Sequence, residues 1–207
     1  MSTLTIKPVE YAGRRLQELG DRVTTAFYPA IENFKIADRL SLRELLFKDA
    51  IDPIHADFLT EEDFSRPYRI AFYGFTFGNL LSRFGGLVLG VTDVPLTFMG
   101  PKDSYKPLVH RFNYSLEGVE GIGDQKNNHQ LAVVSTHRKV FRKEDSDYYI
   151  DRLVRLAIHE VGHSFSLEHH KGKNKTPAGN PCPMMEAGDI SQADDILCLR
   201  CYKKIVG

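Results

Sequence analysis

The run His159-Glu-Val-Gly-His163 constrains this chain most, because it sits inside a helical pattern and makes a demand that a helix alone cannot meet. Ile150, Leu153, Val154, Ala157, Ile158, Val161 and Phe165 recur at helical spacing. They predict a helix over 145–165, capped by Asp145 or Ser146, with Arg152 and Arg155 on its wetter side. At about 100° per residue His159 and His163 leave one face one turn apart, so both imidazoles can reach a single zinc ion. Glu160 is turned about 100° from His159, beside such an ion and not on it. A carboxylate there can take a proton from the zinc's water and pass it to a leaving amine. A third histidine, His169, follows. In a continuous helix it would point about 120° away from His163, so the three share an ion only if the chain turns after Phe165.

Chance weighs differently on two histidines and on three. A His-Glu-x-x-His run arises by accident in roughly two chains in a hundred of this composition, and then reads as two satisfied core histidines. With the third histidine in place the figure falls below about one in a thousand, which makes a metal site the better reading.

The chain has 3 cysteines, all in its C-terminal part. Cys198-Leu-Arg-Cys201 has the spacing that lets two thiolates grip one zinc ion from a tight turn, and Cys182 with His170 would complete a closed Cys₃His site. A thioredoxin-like redox pair and a buried, inert trio are the alternatives. The first wants its motif between a strand and a helix start, whereas this one follows Asp194-Asp195-Ile196-Leu197.

The 207 residues suit one domain with a full core, and 27 Lys plus Arg against 27 Asp plus Glu argue against nucleic acid as a partner. No apolar run reaches the roughly 18 residues of a membrane span. The N-terminus has no basic segment followed by an apolar stretch, so a cytoplasmic location is expected.

Coarse patterning predicts an α/β layer. Helices are expected over 10–19, stopped by Gly20, and over 41–50, with Ser41 and Glu44 as a capping box. Strands are expected over 22–28, 69–75, 86–93, 112–116 and 130–136, those at 86–93 and 130–136 buried on both faces. The glycine-bearing stretch 118–129 reads as a loop, and its glycines do not open a helix after a strand as a dinucleotide site would need.

From His159 to Cys201 the motifs resemble the archaemetzincin family of metzincin zinc peptidases. The family's His-Glu-x-x-His-x-x-Gly-x-x-His-Cys, Cys-x-Met and Cys-x-x-Cys are met here by His159 to His170, Cys182-Pro-Met184 and Cys198-Leu-Arg-Cys201. Ser166 stands where the family has glycine, and His170 where it has a cysteine. The resemblance implies two zinc ions. His159, His163 and His169 would hold the catalytic one with Glu160 as general base. His170, Cys182, Cys198 and Cys201 would hold the structural one. It also implies Met184 as the methionine of a Met-turn under the site, with Met185 the neighbouring alternative. The family's substrate-pairing edge strand would fall near 112–116.

The expected fold is thus α/β, a metzincin-like zinc-peptidase domain with a twisted, mostly parallel mixed sheet. Its upper part, residues 1–165, would carry the sheet and active helix. Its lower part, 166–207, would carry the third histidine, the Met-turn and the structural zinc. The expected activity is hydrolysis of a peptide or protein substrate. The rival expectation is a zinc-stabilised peptide-binding protein with little turnover, in which Ser166 fails to bring His169 onto the metal.

Overall fold

Eight residues at the N-terminus, Ser2–Val9, form β1, in which Leu4 and Ile6 alternate with Thr5 and Lys7. The structure is a computed structural model that describes residues 2–9, 11, 15–41, 72–73, 81, 84–93, 96–97, 121–126, 129–136, 147–170, 174–185 and 190–207. Within them α1 (Leu16–Phe27) leads to β2 (Ile31–Ile36), then to short β3 (Phe72–Tyr73), β4 (Leu87–Thr92), short β5 (Leu96–Thr97), β6 (Gly121–Lys126) and β7 (His129–Ser135). The chain ends with α2 (Asp147–Ser164) and α3 (Leu199–Val206).

Five strands make one sheet in the order β2-β1-β4-β7-β6. The first four are parallel, and β6 runs antiparallel to β7 as the outermost strand among the described residues. β3 and β5 form a separate parallel pair. In the main sheet Leu4 lies beside Leu87, Ile6 beside Leu89, Leu89 beside Ala132 and Val91 beside Val134, so one continuous apolar face results. Against it pack α1 and α2 through Leu19, Val23, Phe27, Leu153, Ala157 and Val161. Burying each large side chain of this set contributes about 1.5–3 kcal/mol before the entropy of ordering is subtracted. Every residue of β4 is buried, as its unbroken apolar run requires of a strand covered on both faces.

The N-terminal elements differ from the sequence reading. Residues 22–28 are not a strand, nor does Gly20 stop a helix, for α1 runs through Gly20 and on to Phe27. Leu19, Val23, Ala26 and Phe27 are all buried along one side of it, so helical spacing outweighs the β-branched composition of this stretch. Gly20 marks a close approach instead, because a Cβ there would collide with the Phe34 ring on β2. β1 and β2 were not anticipated, although Leu4 and Ile6 carry the period of two. The glycine-bearing stretch read as a loop contains β6, with Gly121 opposite Val134 and Gly123 opposite Ala132. An edge strand there takes its order from the β7 backbone, which leaves little trace in its side chains.

The strands at 86–93 and 130–136 and the helix at 145–165 correspond to β4, β7 and α2. Arg152 is buried, not on a wet face. Of the strand expected over 69–75, Phe72–Tyr73 is described. The strand at 112–116, the helix from 42 to 50 and the cap residues 145 and 146 lie outside the described residues. Arg22 on α1 pins the site's support. Its guanidinium meets Asp151 of α2 at 2.8 Å and Asp195 of the C-terminal segment at 3.0 Å.

Candidate metal centres

α2 delivers His159 and His163 and then stops within one turn. Ser166 N–H donates to His163 O at 2.9 Å and Leu167 N–H to Gly162 O at 3.0 Å. These two bonds make a Schellman motif, with Ser166 at the left-handed position and φ of 58°. Among the described residues Ser166 is the sole non-glycine with positive φ. The turn that the three histidines demand therefore exists, made by serine where glycine would be unstrained. Ser166→Gly is expected to stabilise the protein by about 0.5–1 kcal/mol, the relieved strain less the added freedom of the unfolded chain. A scan should show the melting temperature up by a few degrees, and a fall would contradict strain at this residue.

The reversal brings the third ring back to the first two. The Nε2 atoms of His159 and His163 are 3.1 Å apart, those of His163 and His169 3.0 Å, and those of His159 and His169 3.1 Å. Zinc–nitrogen bonds of about 2.0–2.1 Å in a tetrahedral site set their nitrogens about 3.3 Å apart, close to this spacing. The ring tautomers fit as well. His159 Nδ1–H donates to Pro183 O at 2.7 Å and His163 Nδ1–H to Leu167 O at 2.9 Å. A carbonyl only accepts, so both protons sit on Nδ1 and both Nε2 lone pairs face the centre. Burial pushes the His159 pKa down to about 4 and lowers that of His163, so neither ring is charged at neutral pH. Lone pairs converging at this distance suit a cation between them, and this trio can hold a metal ion.

Beneath the rings lies the 182–185 turn, closed by Met185 N–H donating to Cys182 O at 3.1 Å. Met184 is fully buried, and its sulfur would stand 2.5 Å from a Cβ placed on Gly162. Met185, its neighbour, is half-buried, and Gly162 lies on α2 between His159 and His163. Gly162→Ala would gain about 1 kcal/mol of helix propensity, but displacing a buried thioether costs about 1–3 kcal/mol. A net loss near 1 kcal/mol is expected, read as a melting temperature lower by about 2–4 °C. An unchanged or higher value would mean that Met184 has room to move.

His170, Cys182, Cys198 and Cys201 form a second group, all four buried and with their ligand atoms within 4.8 Å of one another. Cys182 and Cys201 Sγ are 4.0 Å apart and Cys198 Sγ is 3.7 Å from His170 Nε2. Zinc–sulfur bonds of about 2.3 Å space tetrahedral sulfurs about 3.8 Å apart, so this group too fits a zinc ion. The cysteines are free thiols, not disulfides. Sharing a proton with Cys201 holds Cys182 down to about 5 and pushes Cys201 up, and Cys198 N–H donates to Cys182 Sγ at 3.4 Å. The group is sealed, whereas His159 and His163 are half-buried and His169 is exposed.

Every metal-ligand candidate read from the sequence thus falls into one of two clusters. Glu160 follows His159 on α2 and is buried. The carbonyls of Pro183 and Leu167 were not foreseen, since backbone acceptors carry no residue signature. His55, His110 and His137 lie outside the described residues, as does the side chain of His129.

A model of peptidase family M54 matches residues 88–206. The chain belongs to peptidase family M54. The resemblance to archaemetzincins is borne out. Among solved structures the fold matches an archaemetzincin from Archaeoglobus fulgidus in complex with malonate, with a TM-score of 0.59 and 18% identity over 98% of this chain and 99% of that one. It also matches a zinc-dependent peptidase from Methanocorpusculum labreanum, with a TM-score of 0.55 and 20% identity over the same shares. At such identities the likeness speaks for the fold. No curated protein matches the sequence.

Proposed function

We propose that this M54 chain is a zinc-dependent peptidase in which His159, His163 and His169 hold the catalytic ion. The observation that carries this reading is the convergence of three Nε2 atoms at 3.0–3.1 Å, two of them with tautomers fixed by backbone carbonyls. Their partial exposure suits a site with an open position for substrate, and the sealed Cys₃His group suits a structural zinc. Bound there, zinc supplies Lewis-acid polarisation of the scissile carbonyl and a water of lowered pKa. Glu160 is assigned the proton: its carboxylate takes it from the attacking water and delivers it to the leaving amine nitrogen. Met184 serves as the Met-turn floor.

The substrate is proposed to be an extended peptide pairing along β6, the edge strand beside β7. Residues 1–165 and 166–207 are proposed as upper and lower parts around that cleft. No helix among the described residues is long and apolar enough to cross a membrane. Three free cysteines placed to bind metal suit a reducing compartment, and we assign the protein to the cytoplasm. The non-catalytic rival rested on Ser166 misplacing His169, and the turn at Ser166 instead brings His169 to the other rings.

Two measurements test the reading together. Elemental analysis should find about two zinc ions per chain, one easily chelated and one resistant. A fluorogenic peptide pool should be cleaved, lose cleavage when the labile ion is removed and regain it on adding zinc. A fully loaded protein that cleaves no peptide would overturn the assignment.

A further inference from the structure

We propose that the Cys₃His cluster is the positioning element of the histidine triad, so that an ion in the cluster tightens the triad's hold on its own. This rests on reading both clusters as metal sites, as in the proposed function.

Three links join them, and each begins at a cluster ligand. The first is the 182–185 turn. Cys182 puts its sulfur in the cluster, Pro183 offers its carbonyl to His159 Nδ1 at 2.7 Å, and Met184 lies against Gly162 between the two helical histidines. The same turn is tied back to the cluster by His170 N–H donating to Met184 O at 3.0 Å. The second link is the dipeptide His169-His170, whose rings belong to different sites, so a shift of one backbone moves both. The third is α3. Cys201 in its first turn belongs to the cluster, and Lys204 one turn on donates to Ser166 O at 3.0 Å.

This last contact falls on the strained residue. A left-handed serine persists only where its surroundings hold it, and Lys204 is part of that hold. With no ion binding the sulfurs together, the turn and α3 lose their common anchor. Pro183 O, Ser166 and His169 can then drift, and the spacing of the three Nε2 atoms loosens. Linkage makes the effect mutual: whatever factor the cluster ion contributes to the triad, the triad ion returns to the cluster.

The test is a cobalt titration. Cd²⁺, a soft ion, is loaded at one equivalent into the cluster of stripped protein and verified by thiolate absorption. Co²⁺ is then titrated into the triad and followed by its visible bands. The same titration is run on Cys198→Ser/Cys201→Ser, which empties the cluster and keeps the turn. The triad is expected to bind Co²⁺ about tenfold or more weakly in the variant, within the usual range of site-to-site coupling. Equal affinity in a variant that circular dichroism finds folded would overturn the proposal. Should the variant unfold, Lys204→Met decides, because it keeps all seven ligands and cuts one link. It should weaken Co²⁺ binding roughly two- to fivefold at unchanged Cd²⁺ content, with Lys204→Arg restoring it. The loss should shrink in a Ser166→Gly background, where the turn needs no clamp. A merely structural lysine would shift melting equally in both backgrounds and leave Co²⁺ affinity alone, which also overturns the proposal. If the wild-type triad takes no Co²⁺ at all, the metal-site reading itself falls, an outcome distinct from equal affinities.

Discussion

Glu160→Gln is expected to keep both zinc ions and lose peptide hydrolysis, with kcat/KM down about a hundred- to ten-thousand-fold. The size follows from what a positioned general base contributes, and each factor of ten is about 1.4 kcal/mol of barrier. The substitution is nearly isosteric. An amide fills the buried space of the carboxylate at Glu160 and can still hydrogen-bond, so the helix and its histidines should stay in register. What it cannot do is accept a proton from water and return it to the amine. The experiment compares zinc content, melting temperature and cleavage of the fluorogenic pool for the two proteins. Equal cleavage rates would sink Glu160 as the base, whereas a loss of zinc along with activity would make it a structural support of the triad.

How much of this was legible beforehand depends on whether side chains or backbone carry the information. The triad and the Cys₃His group were both readable, because metal ligation needs particular side chains at particular spacings and leaves them in the sequence. The turn after α2 was readable by contradiction, since His169 could not reach His163 from a continuing helix. How serine makes that turn was not, as a φ of 58° at Ser166 depends on the Schellman bonds and on Lys204, far along the chain.

β4 and β7 were legible as unbroken apolar runs, while α1 was misread because Val23, Thr24 and Thr25 favour strands by composition. Its true signal was the spacing of Leu19, Val23, Ala26 and Phe27, which packing against the sheet rewards. β6 is the opposite case. Its glycines read as loop chemistry, and the antiparallel ladder with β7 is a tertiary fact. Fold and site were therefore visible to different degrees for one reason: strands at an edge and carbonyls behind a ligand are backbone, and backbone is the same in every residue.

Cys201→Ser is the second substitution with a large expected effect. Cys201 is buried among Cys182, Cys198 and His170, and the core cluster that holds Cys182, Met184, Leu197 and Cys198 includes it. Serine is a poor zinc ligand, so the site would fall to three donors with an open corner in a sealed pocket. A structural zinc ion contributes on the order of 10–16 kcal/mol of apparent binding energy in small domains, and it is folding energy for the segment that makes the site. Losing even a third of this, about 4 kcal/mol, lowers the melting temperature of a chain this size by roughly 8–16 °C. Zinc content should drop by about one ion per chain, and α3, which carries Cys201, should become open to limited proteolysis. The redox reading of Cys198 and Cys201 makes the opposite prediction. Under reducing conditions the variant would melt and bind zinc as the parent does, and that result would return the cysteines to thiol chemistry.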